Sequence, residues 1–367
     1  MSLQIGIVGL PNAGKSTLFN ALLGQQAAAA QNFPFTTIDP NIGVVDVPDE
    51  RLQQLADLVH PEKIVPAAVQ FVDIAGIVKG ASQGEGLGNK FLANIREVDA
   101  IAVVVRAFED PNIIHVNGIV DPIDDLRVVL AELMLADLES IERQLTTYAG
   151  RARSGDKEAG EQLRLLELLK NDLAAERIPN LTSLSTEEQA LVRRFNLLTT
   201  KPFIVVPNVA ETELATAQTV IDKIQPSVDQ LFSQTTVVPI SAKIEAELGE
   251  LDHAEQQAYL QELGVNDSGL TRLIQTAFKT LGLQTYFTAG PQEVRAWTIH
   301  QGDTAPKAAG VIHGDFERGF IAAETVTFAD FVSAGGWTEA KAKGIARTEG
   351  KSYVVHDGDV MLFRFNV

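Results

Sequence analysis

Two hydrophobic rhythms alternate along this chain. Continuous apolar runs at residues 3–8, 41–47, 69–73, 100–108, 202–208 and 235–240 are bounded by turn residues, the signature of short buried strands. The run at 100–108 (AIAVVVRAF) has the unbroken apolar character of a central parallel strand covered on both faces. From Asp124 the period changes. Leu130, Met134, Leu138, Ile141 and Leu145 recur at helical spacing, a polar break follows at 151–156, and a second stripe carries Leu166, Leu169 and Leu173. This predicts an antiparallel helical hairpin. Ser185-Thr186-Glu187-Glu188 is a capping box opening a further helix to about Leu198. Beyond a helix at 269–282, short β runs at 296–299, 319–322 and 360–365 lie between Gly, Pro and Asp turns, with one helix near 337–347. The fold class is therefore α/β, with a helical insertion and a small β-rich domain at the C-terminal end.

Composition narrows the class. The 367 residues are 45% apolar, too long a chain for one ordinary domain and apolar enough for two or three cores. No apolar run reaches the length of a membrane span, and Met1-Ser2-Leu3-Gln4 leads straight into a strand without a basic, apolar leader. A soluble cytoplasmic protein is expected. With no cysteine, disulfides, thiolate metal sites and thiol catalysis are excluded. The net charge of −18 argues against coating nucleic acid through a whole-surface field. Residues 283–367, with 8 Lys and Arg against 10 Asp and Glu, carry only −2 of it. Any contact with RNA phosphates is better placed there, near Lys341, Lys343, Arg347 and Lys351, although a solvated helix face explains these four as well.

The chemistry starts at Gly9-Leu10-Pro11-Asn12-Ala13-Gly14-Lys15-Ser16-Thr17, which fits G-x-x-x-x-G-K-[ST] at every position. It follows a strand run and precedes a helix read from Thr17 to Leu23, with Gly24 as its end. Gly9 and Gly14 let the backbone fold into a nest of N–H donors at the positive end of a helix dipole. Lys15 is placed to reach β- and γ-phosphate oxygens, and the Ser16 hydroxyl can ligate Mg²⁺. A nucleoside triphosphate is the implied ligand.

Downstream positions agree. The loop 32–38 holds Thr36 and Thr37, either able to offer a hydroxyl to Mg²⁺, with Thr37 preferred. Asp73-Ile74-Ala75-Gly76 ends a strand, so Asp73 can hold Mg²⁺ through water and the Gly76 N–H can meet the γ-phosphate. Ile77 stands where Ras-type enzymes carry a water-orienting glutamine, so slow hydrolysis is expected. His115, in the loop after 100–108, is a candidate to position that water. At the end of 202–208, Asn208-Val209-Ala210-Glu211 replaces the N-K-x-D that grips guanine. A carboxylate aimed at adenine N1 would repel it, so Glu211 must point elsewhere, leaving Asn208 and the backbone near Val209 to read adenine. ATP is favoured over GTP. Ser241-Ala242-Lys243 resembles the loop that packs around the base.

Together, G-L-P-N-A-G-K-S-T, F-P-F-T-T-I-D-P-N, D-I-A-G-I-V-K-G-A-S-Q-G-E-G-L-G-N-K-F-L, N-V-A-E and L-Q-T-Y-F-T-A-G-P-Q-E-V-R-A-W-T-I resemble the Obg-related YchF ATPases, known in eukaryotes as Obg-like ATPases. The resemblance covers nearly the whole chain. It implies a Ras-like P-loop domain over 1–123 and 200–282, the helical insert over 124–199, and a TGS domain of β-grasp fold over 283–367. It also implies slow ATP hydrolysis and association with the ribosome or its large subunit, with RNA contacts through the helical and TGS domains. Carried onto this chain, phosphate and metal contacts fall on Asn12, Ala13, Gly14, Lys15, Ser16 and Thr17, with Ser16 and Thr37 on Mg²⁺. Base contacts fall near Asn208 and Val209, and the loop histidine on His115. Asn12 occupies the place that holds a monovalent cation in some related enzymes, which implies K⁺ stimulation. A GTP-driven translation factor and a non-catalytic, nucleotide-gated ribosome-binding module are the alternative readings.

Overall fold

The computed structural model describes residues 3–29, 41–74, 87–111, 119–232 and 235–366. Thr36, Thr37, Gly76, Ile77 and His115 lie outside the described residues. The strands in chain order are β1 (Gln4–Val8), β2 (Ile42–Asp46), β3 (Lys63–Val65), β4 (Ala68–Asp73), β5 (Ala100–Arg106), β6 (Phe203–Asn208) and β7 (Thr236–Val237), then β8 (Leu283–Ala289), β9 (Glu293–His300), β10 (Phe320–Thr327), β11 (Arg347–Glu349) and β12 (Asp359–Phe365). The described chain forms two compact units: residues 3–27, 41–43 and 70–273 in one, and 28–29, 44–69 and 274–366 in the other.

The first unit is built on the strands β4-β1-β5-β6-β7, adjacent in that order in one sheet. β1 pairs in parallel with β4 and β5, and β6 in parallel with β5 and β7. All seven residues of β5 are buried, as its unbroken apolar run requires of a strand covered on both faces. It ends at Arg106, two residues short of the run. Register decides what the sheet offers: Ile7 lies opposite Asp73 and Arg106 opposite Asn208, so the loops after β1, β4, β5 and β6 leave the same carboxyl edge.

The first helix, α1 (Lys15–Ala29), does not stop at Gly24. A glycine costs a helix interior about 1 kcal/mol, and the flanking leucine, glutamines and alanines are good helix formers that tolerate it. The following helices are α2 (Glu50–Val59), α3 (Leu87–Glu97), α4 (Pro122–Arg153), α5 (Lys157–Ala174) and α6 (Thr186–Arg194). α4 and α5 form the expected hairpin. Asp121 caps α4 by accepting from the Ile123 and Asp124 N–H groups, with Pro122 in the first turn, and Asp156 caps α5 through Ala159. Leu130, Met134, Ile141, Leu166, Leu169 and Leu173 are buried in one core, while Leu138 and Leu145 pack at its margin. The Ser185–Glu188 capping box is present, but α6 ends at Arg194 because Asn196 turns left-handed (φ 51°). That turn delivers Leu198 and Thr199 to α4, where the fully buried Asp137 carboxylate accepts both N–H groups, at 2.9 and 2.8 Å, and the Thr199 hydroxyl at 2.7 Å.

The second unit is a mixed sheet, β11-β10-β12-β8-β9-β3, in which β8 and β12 run parallel while β8–β9 and β10–β12 are antiparallel. Its core gathers Tyr286, Ile299, Phe320 and Met361 with the alanines of helix Ala305–Ile312, and the Tyr286 hydroxyl donates to Ala308 O at 2.9 Å. The helix expected near 337–347 covers only Trp337–Ala342. Gly344 (φ 70°) follows it, and Arg347 opens β11. The four basic residues thus form no single helix face, and Lys341 is engaged by the buried Glu324 at 2.6 Å. α2 and β3, strung between strands of the first sheet in the chain, belong to this unit: β3 pairs in parallel with β9, Ile64 opposite Val294. Among the described residues no helix is long and apolar enough to cross a membrane.

Candidate functional site

The loop after β1 is held in a shape only small residues permit. Gly9 and Gly14 sit at φ 155° and 96°, and Asn12 at φ 62°, a region asparagine tolerates. A Cβ on Gly9 would come within 2.2 Å of Val104 O, and one on Gly14 within 2.2 Å of the Asn208 Nδ2. Lys15 opens α1 with a buried side chain whose ammonium donates to Leu10 O at 2.8 Å. Burial pulls its pKa below the ordinary lysine range, and the Asp73 charge opposes that pull. Asp73 answers in kind: burial raises its carboxyl, and the Lys15 charge lowers it. A buried cation with one carboxylate in its field favours a further anion at this loop.

Ser16 and Thr17 are exposed on the first turn of α1. Hydroxyl and carboxylate oxygens suit Mg²⁺, which takes one or two protein ligands and completes its shell with phosphate and water. The residues fit that ion better than a fully protein-ligated metal, since the described residues contain no cluster of three or more His, Cys, Asp or Glu able to hold one.

At the end of β6 the buried Asn208 works in two directions. Its Nδ2 donates to Ala13 O at 3.0 Å and its Oδ1 accepts from the Ala242 N–H at 3.0 Å. One side chain therefore ties the glycine-rich loop to the Ser241-Ala242-Lys243 loop. Between them opens a cleft of about 610 Å³, with Asn12, Gly14 and Thr17 at one end and Asn208–Glu211 with Ser241–Lys243 at the other. That volume suits a drug- or nucleotide-sized ligand. Val209, where a lysine would flank guanine, is buried, and its N–H donates to Ile240 O at 2.8 Å. Glu211 turns to Lys243, Oε2 to Nζ 3.2 Å.

Of the residues singled out from sequence, Asn12, Gly14, Thr17, Asn208, Val209, Ser241 and Ala242 line this one cleft. Ala13, Lys15, Ser16 and Asp73 belong to its loop and flanking strand end. Sequence reasoning missed the third wall, Phe108, Glu109 and Asp110. The buried Arg106 shapes it, donating to Phe108 O at 3.1 Å and Asp110 O at 3.3 Å with its guanidinium 4.6 Å from the Phe108 ring centre. The available signal was position: an aromatic just past the carboxyl end of a central parallel strand, followed by Glu109-Asp110-Pro111.

Residues 4–141 match the family model described as "50S ribosome-binding GTPase", and residues 283–366 match the YchF-GTPase_C model, described as a protein of unknown function. Over the full length of both chains, the sequence is 53% identical to the "Ribosome-binding ATPase YchF" of Bacillus subtilis (strain 168) and 51% identical to the one of Escherichia coli O157:H7. The structure of the Schizosaccharomyces pombe YchF GTPase is similar at a TM-score of 0.89 and 37% identity, covering 99% of this chain and 98% of that one.

Proposed function

The chain belongs to the YchF family, and on that premise we propose that it binds and slowly hydrolyses ATP with Mg²⁺, as a nucleotide-dependent switch on the ribosome. The observation that carries the reading is the Asn208 tie, which joins a phosphate-type loop to a base-type loop whose guanine-selecting lysine and aspartate are Val209 and Glu211. In-line attack of water on the γ-phosphate moves charge toward the leaving oxygens, and Lys15 with the amides of the loop would receive it. Ser16, Thr37 and Asp73 would hold the Mg²⁺, which when bound neutralises phosphate charge. Gly76 offers an N–H to the γ-phosphate, and His115 stands in for the missing glutamine in placing water. Ile77 has no polar group for that task, which keeps turnover slow. Asn12 is the proposed contact for K⁺.

The curated relatives are named as ribosome-binding ATPases. We extend that property to this chain, with the ribosome, its large subunit and RNA met through the helical insertion (124–199) and the C-terminal domain (283–367), in the cytoplasm. A second, GTP-driven reading has the retained Ser241-Ala242-Lys243 loop in its favour. Parallel calorimetric titrations with ATP and GTP decide between them: tighter GTP binding removes the ATP assignment. Single-turnover hydrolysis with and without ribosomes tests catalysis. His115→Ala should slow it at least tenfold, an effect typical of losing a positioned catalytic side chain. Unchanged turnover removes His115 from the mechanism, and equal rates in Na⁺ and K⁺ remove the monovalent cation.

A further inference from the structure

Glu211 opens the short 3₁₀ turn Glu211–Thr216 and is one of the residues that line the cleft. Its Oε2 accepts from Lys243 Nζ at 3.2 Å, while Lys243 also lies 3.8 Å from Glu247, which accepts the Tyr259 hydroxyl at 3.1 Å. Lys243 directly follows Ala242, whose N–H is fixed by Asn208. The backbone of Lys243 therefore leaves the loop that lines the cleft, and its exposed ammonium pairs with the Glu211 carboxylate beside it.

Guanine presents N1–H and an amino group and needs an acceptor opposite them, whereas adenine presents the lone pair of N1 and is repelled by one. We propose that Lys243 is a specificity-determining residue. By drawing the Glu211 carboxylate to itself, it withdraws the acceptor guanine requires and relieves adenine N1 of a facing negative charge. The inference rests on the ATP reading above and names the side chain that enforces it. Both partners are solvent-accessible, with side-chain exposures of 70% and 41%, so the preference held this way is modest and sensitive to salt.

The test is a binding cycle, titrating ATP and GTP into the full-length protein and into Lys243→Ala, Glu211→Gln and the double variant. Freeing the carboxylate should lower the ratio of ATP to GTP affinity about fivefold in Lys243→Ala, the scale of an exposed ion pair. Glu211→Gln should leave the ratio near its starting value, and the double variant should match Glu211→Gln, since the effect of Lys243 runs through that carboxylate. An unchanged ratio in Lys243→Ala overturns the proposal, and so does a fall that persists in the double variant. If the unaltered protein prefers GTP, the ATP reading fails by itself. The cycle still judges Lys243, because it reads the change in the ratio and not its starting point.

Discussion

At the glycine-rich loop the groups proposed to meet phosphate are backbone amides and the buried Lys15 ammonium; elsewhere along the cleft stand an exposed ion pair, Glu211 with Lys243, and the half-buried Phe108. The first set is rigid, because Gly9 and Gly14 touch β5 and Asn208 so closely that no Cβ fits. The second is held by side chains free to move in water. On the proposed reading this is a division of labour: rigid, desolvated groups would suit the generic charge of a polyphosphate, and soft groups a choice between two bases that differ by a few atoms. Asn208 is the hinge pin common to both.

The largest expected effect tests the generic end. Lys15→Ala should cost about 3 kcal/mol of nucleotide affinity, roughly a hundredfold, as the loss of a charge-assisted contact. ATP and GTP should suffer equally in calorimetry, and a loss confined to one of them breaks the comparison. Asn208→Ala comes next. It leaves Ala13 O and the Ala242 N–H without their partner, at about 2 kcal/mol of folding stability. Affinity for both nucleotides should fall with it; an unshifted thermal midpoint would mean that the tie is ornamental. Gly14→Ala meets Asn208 at 2.2 Å from a left-handed backbone, which should cost about 1–2 kcal/mol of stability. Chemical denaturation reads it, and a neutral result would show that the loop is not rigid.

The smallest effect belongs to a residue outside the cleft lining. Burial lifts the Asp46 carboxyl from its usual 3.8 to about 6, so the folded protein holds that proton more tightly than the unfolded chain. Its contribution to stability is therefore present below pH 4 and lost as pH rises through 6. Asp46→Asn should raise the free energy of unfolding at pH 7 by about 1 kcal/mol once partial exposure is allowed for, and flatten the decline between pH 4 and 6. Nucleotide affinity should not change, and a change would show that the cleft's electrostatics are not local.

What could be read from sequence follows the range of the interactions. The glycine-rich loop, the α4–α5 hairpin and the Ser185–Glu188 box are set by neighbours a few residues apart, and each stands where its pattern put it. β3 stayed hidden because its partner, β9, lies more than two hundred residues later, and no local period announces a parallel pairing. Gly24 misled because a single unfavourable propensity was outweighed by its neighbours. In the candidate site, the loop residues and Asn208 could be named in advance, but not that Asn208 turns both of its ends to the protein backbone. Phe108 was absorbed into the apolar run that precedes it. Only the sheet register shows that strand β5 ends at Arg106 and releases the ring onto the cleft edge.

The Asp137 carboxylate bears on how modular the helical arm is. An engineer who excised the hairpin to shorten the protein, or transplanted it onto another nucleotide-binding core, would sever α4 from the Leu198 and Thr199 amides it serves. Those amides begin the return path into β6, so the deletion scar would fall on the strand that carries Asn208. A graft that keeps the stem of α4 through Asp137 avoids the scar, provided that whatever replaces the helices beyond it still covers the core that Ile141, Leu166, Leu169 and Leu173 share with that stem.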